Sequence, residues 1–426
     1  MSFSRAAWGL GTVGVLVAVS VGAAAPAKKP TYYRDVAPIL QSRCEGCHRP
    51  GQVAPFSLLT YDQAKRWGTE IKALTGNRQM PPWLAAPDHG DFADSRRMPD
   101  AEIATLAAWV DGGMPAGNRK DAPKPKVWTD GWMLGEPDLV LEPSEEYEVA
   151  AHGDDEFRVF VLPANLPEDK QVVAIDFRPG NARVVHHVVS FVDTSGQGRK
   201  LDAADPGPGY SSGPGGIKIP AARIQGVWAP GNLPRFLPAG VGRPLPKGAD
   251  VVIQMHYHKT GKVEKDRTRV GLYFAKEPVR QEARTFILGS LNIDIPPGAA
   301  RHEVRGVNKL PADVRVLSIM PHMHLLGQEM KVTAKLPDGT RKELVWIPRW
   351  DYRWQDSYRY REPLLLPKGT EVELVAYYDN TTDNPLNPSD PPRRVRFGEQ
   401  TTDEMAFAIL EAVIEAPNVP PVVVDR

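Results

Sequence analysis

Proline occupies 42 of the 426 positions, about twice the usual share of roughly 5%, and is scattered through the chain instead of forming a repeat. Each proline removes a backbone donor and fixes φ, so helix interiors and central strands must fit between them. Long helical architectures are thereby excluded outside local stretches. The charge balance narrows the class further. With 52 basic and 52 acidic residues, 24% charged and 42% hydrophobic, the chain is neither a disordered polyelectrolyte nor a polytopic membrane protein. A nucleic-acid binder would carry excess Lys and Arg, so no nucleic-acid partner is expected.

The first 27 residues bear on the compartment. Arg5 precedes a run without charge at 6–25, with an apolar core at 13–21 and the small residues Gly22, Ala23, Ala24 and Ala25, before Lys28 and Lys29. This reads as a signal peptide over 1–27, cleaved between Ala23 and Ala27, and predicts a periplasmic or secreted protein. A run of about 20 uncharged residues is also near the length of a bilayer span, so a retained membrane anchor is the alternative.

Both cysteines fall in Cys44-Glu45-Gly46-Cys47-His48. In the C-x-x-C-H spacing two thiols form thioethers to one haem from a single turn, and the adjacent histidine ligates its iron. A thioredoxin-like pair would need a βαβ context and a zinc site a second cysteine pair; the sequence offers neither. Val36, Ile39, Leu40 and Cys44 recur at helical spacing before and into the motif. Asp100 and Glu102 open a second helix, with Ile103, Leu106, Ala107 and Val110 on one face and Gly112-Gly113 as its stop. About residues 30–118 resemble a small class I cytochrome c, giving an all-α haem domain over 28–118 with one covalent haem c. Its expected axial ligands are His48 and Met80, the latter in Met80-Pro81-Pro82-Trp83, with Met98 and Met114 as rivals.

Residues 119–134 read as an extended Pro- and Lys-rich linker. Beyond it, short runs rich in Val, Ile, Phe and Tyr alternate with Pro, Gly, Asn and Asp. The clearest lie at 157–162, 171–177, 184–192, 251–257, 270–274 and 314–320. The pattern predicts two all-β sandwiches in tandem, 135–278 and 279–420, divided near Glu277-Pro278.

Six of the ten histidines fall into three pairs: His186-His187, His256-Tyr257-His258 and His322-Met323-His324. Alternate residues of a strand share a face about 6.5 to 7 Å apart, so His322 and His324 can close on one metal. Adjacent His186 and His187 would need a bulge or a strand end to do so. Any one histidine is more readily explained as strand packing or as a donor to a backbone carbonyl; three pairs in one β region point to metal. Imidazoles with a thioether from Met405 favour copper over magnesium or calcium, which prefer oxygen.

Val185-His186-His187-Val188, Gln254-Met255-His256-Tyr257, His322-Met323-His324-Leu325-Leu326-Gly327 and Thr401-Thr402-Asp403-Glu404-Met405 resemble, in order, the copper motifs of the type II copper, ascorbate-dependent monooxygenases. That family includes the peptidylglycine α-hydroxylating and dopamine β-monooxygenases. The resemblance covers about residues 135–415. It implies two jelly-roll-like domains facing a solvent cleft, an electron-transfer copper on His186, His187 and His256, and an oxygen-binding copper on His322, His324 and Met405; the role of His258 is left open. Two departures stand out. No cysteine remains for the disulfides of the animal members, and Met320, Phe407 and Ile409 occupy the positions of the peptide-amidating enzyme's carboxylate-binding residues, which argues for a more apolar substrate. Tyr377 and Tyr378 line a cleft or end a strand.

The expected function is therefore hydroxylation of an unactivated C–H bond in a small organic molecule with O2. Electrons would come from an external donor through the fused haem, which is expected to feed the first-domain copper. A non-catalytic periplasmic electron-transfer or copper-binding protein is the alternative.

Overall fold

The structure, a computed structural model, describes residues 29–128, 131–212, 216–220 and 222–414. The expected signal segment, 1–27, and residues 415–420 of the expected last domain lie outside these. The molecule is mostly β, in several sheets, with most of its helix before residue 112. Among the described residues no helix is long and apolar enough to cross a membrane.

A π-helical turn (Tyr32–Val36) runs into α1 (Ala37–Arg43). The helical spacing read there is used for burial: Val36, Ile39 and Leu40 are covered, and Cys44 packs on the same core. α2 (Tyr61–Arg66) and α3 (Gly68–Gly76) come in addition to the helices read from sequence. α2 begins with a capping box in which the Thr60 hydroxyl accepts from Gln63 N and the Gln63 side chain accepts from Thr60 N, satisfying two otherwise orphaned donors. α4 (Asp100–Asp111) starts and stops where the sequence places it. Its buried face, however, centres on Leu106 and Trp109, the indole donating to Pro115 O at 3.1 Å.

The segment between α3 and α4 leaves this helical unit for the last third of the chain. Ala86 N donates to Trp346 O (2.8 Å), Ala93 N to Arg359 O (2.8 Å) and Arg361 N to Asp91 O (2.9 Å). Trp83 meets Tyr358 edge-on at 5.0 Å, and Phe92 packs on Tyr358 and Tyr360. Arg96 pairs with Asp356 and donates to Gly231 O at 2.9 Å. The spacer role expected of 119–134 also needs correction over 119–128, which folds back over α1. Gln41 donates to Lys124 O (2.8 Å), Lys126 donates to Gln41 O (3.0 Å), and the Arg49 guanidinium lies 4.5 Å from the Trp128 ring centre.

The first β unit contains β1 (Leu139–Leu141), β2 (Tyr147–Val149), β3 (Glu156–Pro163), β4 (Lys170–Arg178), β5 (Val185–Asp193), β6 (Tyr210–Ser211), β7 (Arg223–Trp228), β8 (Val241–Leu245), β9 (Asp250–Tyr257), β10 (Glu264–Asp266) and β11 (Arg269–Phe274), with α5 (Gln197–Ala204) between β5 and β6. The second contains β12 (Gln281–Ser290), β13 (Asp294–Ile295), β14 (His302–Lys309), β15 (Val314–His322), β16 (Gly327–Lys335), β17 (Arg341–Ile347), β18 (Tyr358–Leu366), β19 (Glu371–Tyr378), β20 (Val395–Arg396) and β21 (Ala406–Ile414). All six runs singled out in the sequence are strands.

In the first unit the sheet β6-β3-β9-β5-β7 and the strands β1-β11-β4-β8 enclose a core that includes Leu162, Val188, Ile253, Met255 and Leu272. β9 is buried along its whole length because its outer face meets a second cluster around Val159, Tyr210 and Ile219. In the second unit β14-β19-β16-β17 and β12-β21-β15-β18 enclose Phe286, Ile319, Met330, Leu374 and Leu410. Each such side chain contributes about 1.5–3 kcal/mol by leaving water. The two units are not separate bodies in their sheet structure. β8 and β12 pair in parallel, Val241 with Gln281 and Gly242 with Glu282, and merge two sheets into one of eight strands, β1-β11-β4-β8-β12-β21-β15-β18. Val241, Ala283, Leu317 and Val413 pack along that seam.

Candidate metal centre

His186 and His187 lie at the start of β5 and His256 near the end of β9. Along this pair the register slips: Val185 opposes Tyr257, while His187 opposes His256. His186 is therefore the extra residue of a β-bulge, the distortion that adjacent metal-binding histidines require. Ring centres stand 5.4 Å apart for His186 and His187, 4.9 Å for His186 and His256, and 4.7 Å for His187 and His256. One ligand nitrogen from each lies within 4.8 Å of the others. His256 Nδ1 faces His187 Nδ1 at 3.4 Å, while His256 Nε2 meets Asp155 Oδ2 at 2.9 Å. A carboxylate on Nε2 holds the proton there and leaves Nδ1 for a metal. Asp155 escaped the sequence reading, because an acid between Asp154 and Glu156 looks like solvated loop.

His322 is the last residue of β15, and His324 lies just beyond it, so the pair sits at a strand end and not within a strand. Their rings are 5.1 Å apart and nearly perpendicular. His322 Nδ1 meets Gln355 Oε1 at 2.5 Å and His324 Nδ1 meets Asp403 O at 3.0 Å, which leaves Nε2 of each for a metal. Met405 immediately precedes β21 and is partly buried. Glu404 joins the two ligand segments: its carboxylate accepts from His324 N (2.8 Å), Leu326 N (2.7 Å) and Met405 N (3.2 Å). Tyr378 ends β19, and its hydroxyl donates to Met405 O at 2.7 Å, so it braces this segment from a fully buried position. Gln355 and Glu404 were also missed as site residues; only proximity in the fold gives either a role.

The two sets adjoin instead of facing each other across a wide cleft. His187 and His322 have ring centres 6.5 Å apart. Tyr352 touches both sets, its ring centre 4.4 Å from that of His186 and 6.1 Å from that of His324. Its hydroxyl donates to Thr401 at 3.3 Å, and Thr401 donates to Asp155, tying the first set to the second unit. Burial would raise the Asp155 carboxyl, but bonds from His256 and Thr401 outweigh it and hold the carboxyl below its ordinary value. Burial, followed by the neighbouring imidazoles, pushes His186 down to about 3 and His187 well below its usual range. Burial likewise lowers His322 to about 4, against the Gln355 bond, and lowers His324 strongly. These four rings are thus neutral at neutral pH, as metal ligation requires. His258 is exposed just past β9 and stands apart from the three-nitrogen group.

In the helical unit Cys47 N and His48 N both donate to Cys44 O, at 3.1 and 2.9 Å, so the three residues share one turn. Burial pushes the Cys44 thiol up to about 12 and raises that of Cys47. His48 Nδ1 meets Phe56 O at 3.2 Å, leaving Nε2 free. Two half-buried thiols and a free imidazole nitrogen on one turn fit a covalently attached haem. Met98 is buried in the core that holds Cys44, and Met114 is partly buried against it. Met80 is outside that cluster, since the segment that follows it is drawn to β18. The preference for Met80 from loop position therefore finds no packing support.

Between the β units lies a cavity of about 430 Å³, with Phe177, Ile224, Leu317, Met320 and Ile409 among its walls. Met320 and Ile409 are cross-strand partners, two residues from the His322–Phe407 pair. One end of the cavity thus lies about 7 Å along the strand from His322.

No family model matches the chain, and no curated protein matches it. Among solved structures, the major capsid protein P2 of bacteriophage PM2 is similar over 66% of this chain and 98% of its own, at 11% identity and a TM-score of 0.26. PNGase F, a glycosylasparaginase from Flavobacterium meningosepticum, is similar over 67% of this chain and 99% of its own, at 11% identity and a TM-score of 0.28. Likeness at that level carries no argument about this chain, and the site must be judged on its own residues.

Proposed function

We propose that this protein is an exported copper-dependent monooxygenase that hydroxylates an unactivated C–H bond of a small organic substrate, with electrons reaching it through a c-type haem. In this reading the helical unit is a cytochrome c-like domain and the β units are jelly-roll-like sandwiches akin to the type II copper monooxygenases. One observation carries it: five histidines converge from three chain segments, and His256, His322 and His324 each have one ring nitrogen committed to a fixed partner and the other left for metal. Imidazoles, with the Met405 thioether beside Glu404, suit copper.

When bound, copper would supply one-electron and O2 chemistry and the haem would supply the electrons. The chain's own contribution is positional. Asp155, Gln355 and the Asp403 carbonyl orient imidazoles, burial keeps those of His322 and His324 neutral, and Glu404 keeps the His324 and Met405 segments together. Arg96, on the segment that leads from α3 to α4, pairs with Asp356, the neighbour of Gln355, and this tether supports approach of the haem unit to the His322 side instead of the expected His186 side.

Protein matured with haem and supplied with copper should contain one haem and two coppers. Fewer than two copper equivalents would sink the site assignment. O2 consumption matched by hydroxylated product supports the enzyme; redox cycling without product would instead support the electron-transfer or copper-binding alternative.

A further inference from the structure

We infer that the cavity between the β units binds an amphipathic monoanion, a carboxylate carried on a compact apolar body. The inference rests on the proposed function and deepens it by naming the class of substrate brought to His322.

The cavity volume of about 430 Å³ falls within the roughly 300–1,000 Å³ of small-molecule pockets. Both units supply apolar wall, with Phe177 and Ile224 on one side and Met320 and Ile409 on the other. The charges are less evenly matched. Arg235, Arg243, Arg359 and Arg361 also line the cavity, with Asp356 and Glu411. Arg243 pairs with Glu411, Asp356 with Arg96 from the segment between α3 and α4, and Arg361 with Asp91. Arg359 and Arg235 are left to share Asp94, at 2.6 and 3.8 Å. Five guanidinium groups thus meet four carboxylates, and Arg235 is the one without a close partner of its own. Its other contact is a 3.3 Å bond to Ser357 O, so most of its five N–H donors are open to a ligand.

Arg243 Nε, Arg359 Nε and Gln225 Oε1 are closed off behind this lining without a hydrogen-bond partner, so ligand recognition falls to the open donors of Arg235. A carboxylate offers planar, bidentate acceptance to a guanidinium. A carboxylate held by Arg235 would leave the apolar body along Met320 and Ile409, toward His322. A cationic ligand would add to an excess of positive charge, and a neutral one would leave it uncompensated.

The test is calorimetric titration of the full chain, both copper-loaded and copper-depleted, with 3-phenylpropionate, benzoate and octanoate, against 3-phenylpropionamide and phenethylamine. At least one carboxylate should bind in both metal states, and the amide and amine should bind roughly tenfold or more weakly. Arg235→Met should cost the same roughly tenfold, with unchanged copper content and melting temperature, and Arg235→Lys should recover part of it. No binding by any of the three carboxylates, equal binding of the amide, or an unaffected Arg235→Met would overturn the inference. Carboxylate binding without any hydroxylated product would count against the proposed function and leave this site standing. Hydroxylation indifferent to the carboxylate would do the reverse.

Discussion

The two histidine sets are built by different means. His186, His187 and His256 sit on hydrogen-bonded strands, and a single bulge aims two neighbours at a third residue across the ladder. His322, His324 and Met405 sit where strands stop or start, and side chains from elsewhere, Gln355, Glu404 and Tyr378, hold the ends together. A ladder fixes ligands through backbone bonds that survive most side-chain changes. Strand ends must be fixed by particular side chains, so the second set should be the more fragile to mutation.

The largest test removes a ligand from each set. His256→Ala and His322→Ala should each lower copper from two equivalents to one by metal analysis; loss of both from either change would mean that sets with ring centres 6.5 Å apart assemble only together. Next in size is Glu404→Ala, which would orphan two buried N–H groups and one partly buried one, at about 1–3 kcal/mol for each buried group. Chemical denaturation should show a loss on the order of 3 kcal/mol or more, with copper lost from the second set and kept in the first.

Asp176→Asn serves as a control within the first unit, away from either set. Burial raises the Asp176 carboxyl to about 6, against the bond it accepts from Met133 N. A raised carboxyl favours the folded state fully below its unfolded value of about 3.8, and that contribution is lost as pH rises through about 6. The amide avoids burying the charge, so denaturation curves should show the variant more stable by about 3 kcal/mol at pH 8 and level with the parent near pH 3.5, with copper content unchanged. The smallest effect is expected for Asp155→Asn. Chelator competition should show first-set copper affinity reduced about tenfold, because Phe157, stacked 4.3 Å from His256, still steadies the ring. An equal loss from the second set would show that the Asp155–Thr401 contact couples them.

What could be read from the sequence follows the same division. Strand positions, the shared turn of Cys44, Cys47 and His48, and the need for a bulge or a strand end at His186 are local properties, and the chain displays them in its periodicity and spacing. The supports are not local. Asp155 acts on a histidine 101 positions away and Glu404 on a backbone N–H 80 positions away, and nothing in their neighbourhoods distinguishes them from surface acids. The Thr60–Gln63 capping box was present in the sequence and was passed over. The course of residues 83–97 had no local signal, since Trp83 and Phe92 would serve equally well beside a haem; only the Tyr358 and Tyr360 rings on another unit explain where they pack.

That course bears on whether the helical unit can be treated as a removable module. β18 is the outermost strand of the eight-stranded sheet, and its open side is occupied by residues 91–93, with Phe92 bridged to Tyr360. An uncovered edge of this kind recruits strands from other molecules. A truncated chain beginning after residue 118 would bare both the edge and its two tyrosines, and should self-associate where the full chain does not. Residues 91–93 thus act as a guard strand for the β region, a duty independent of any redox chemistry.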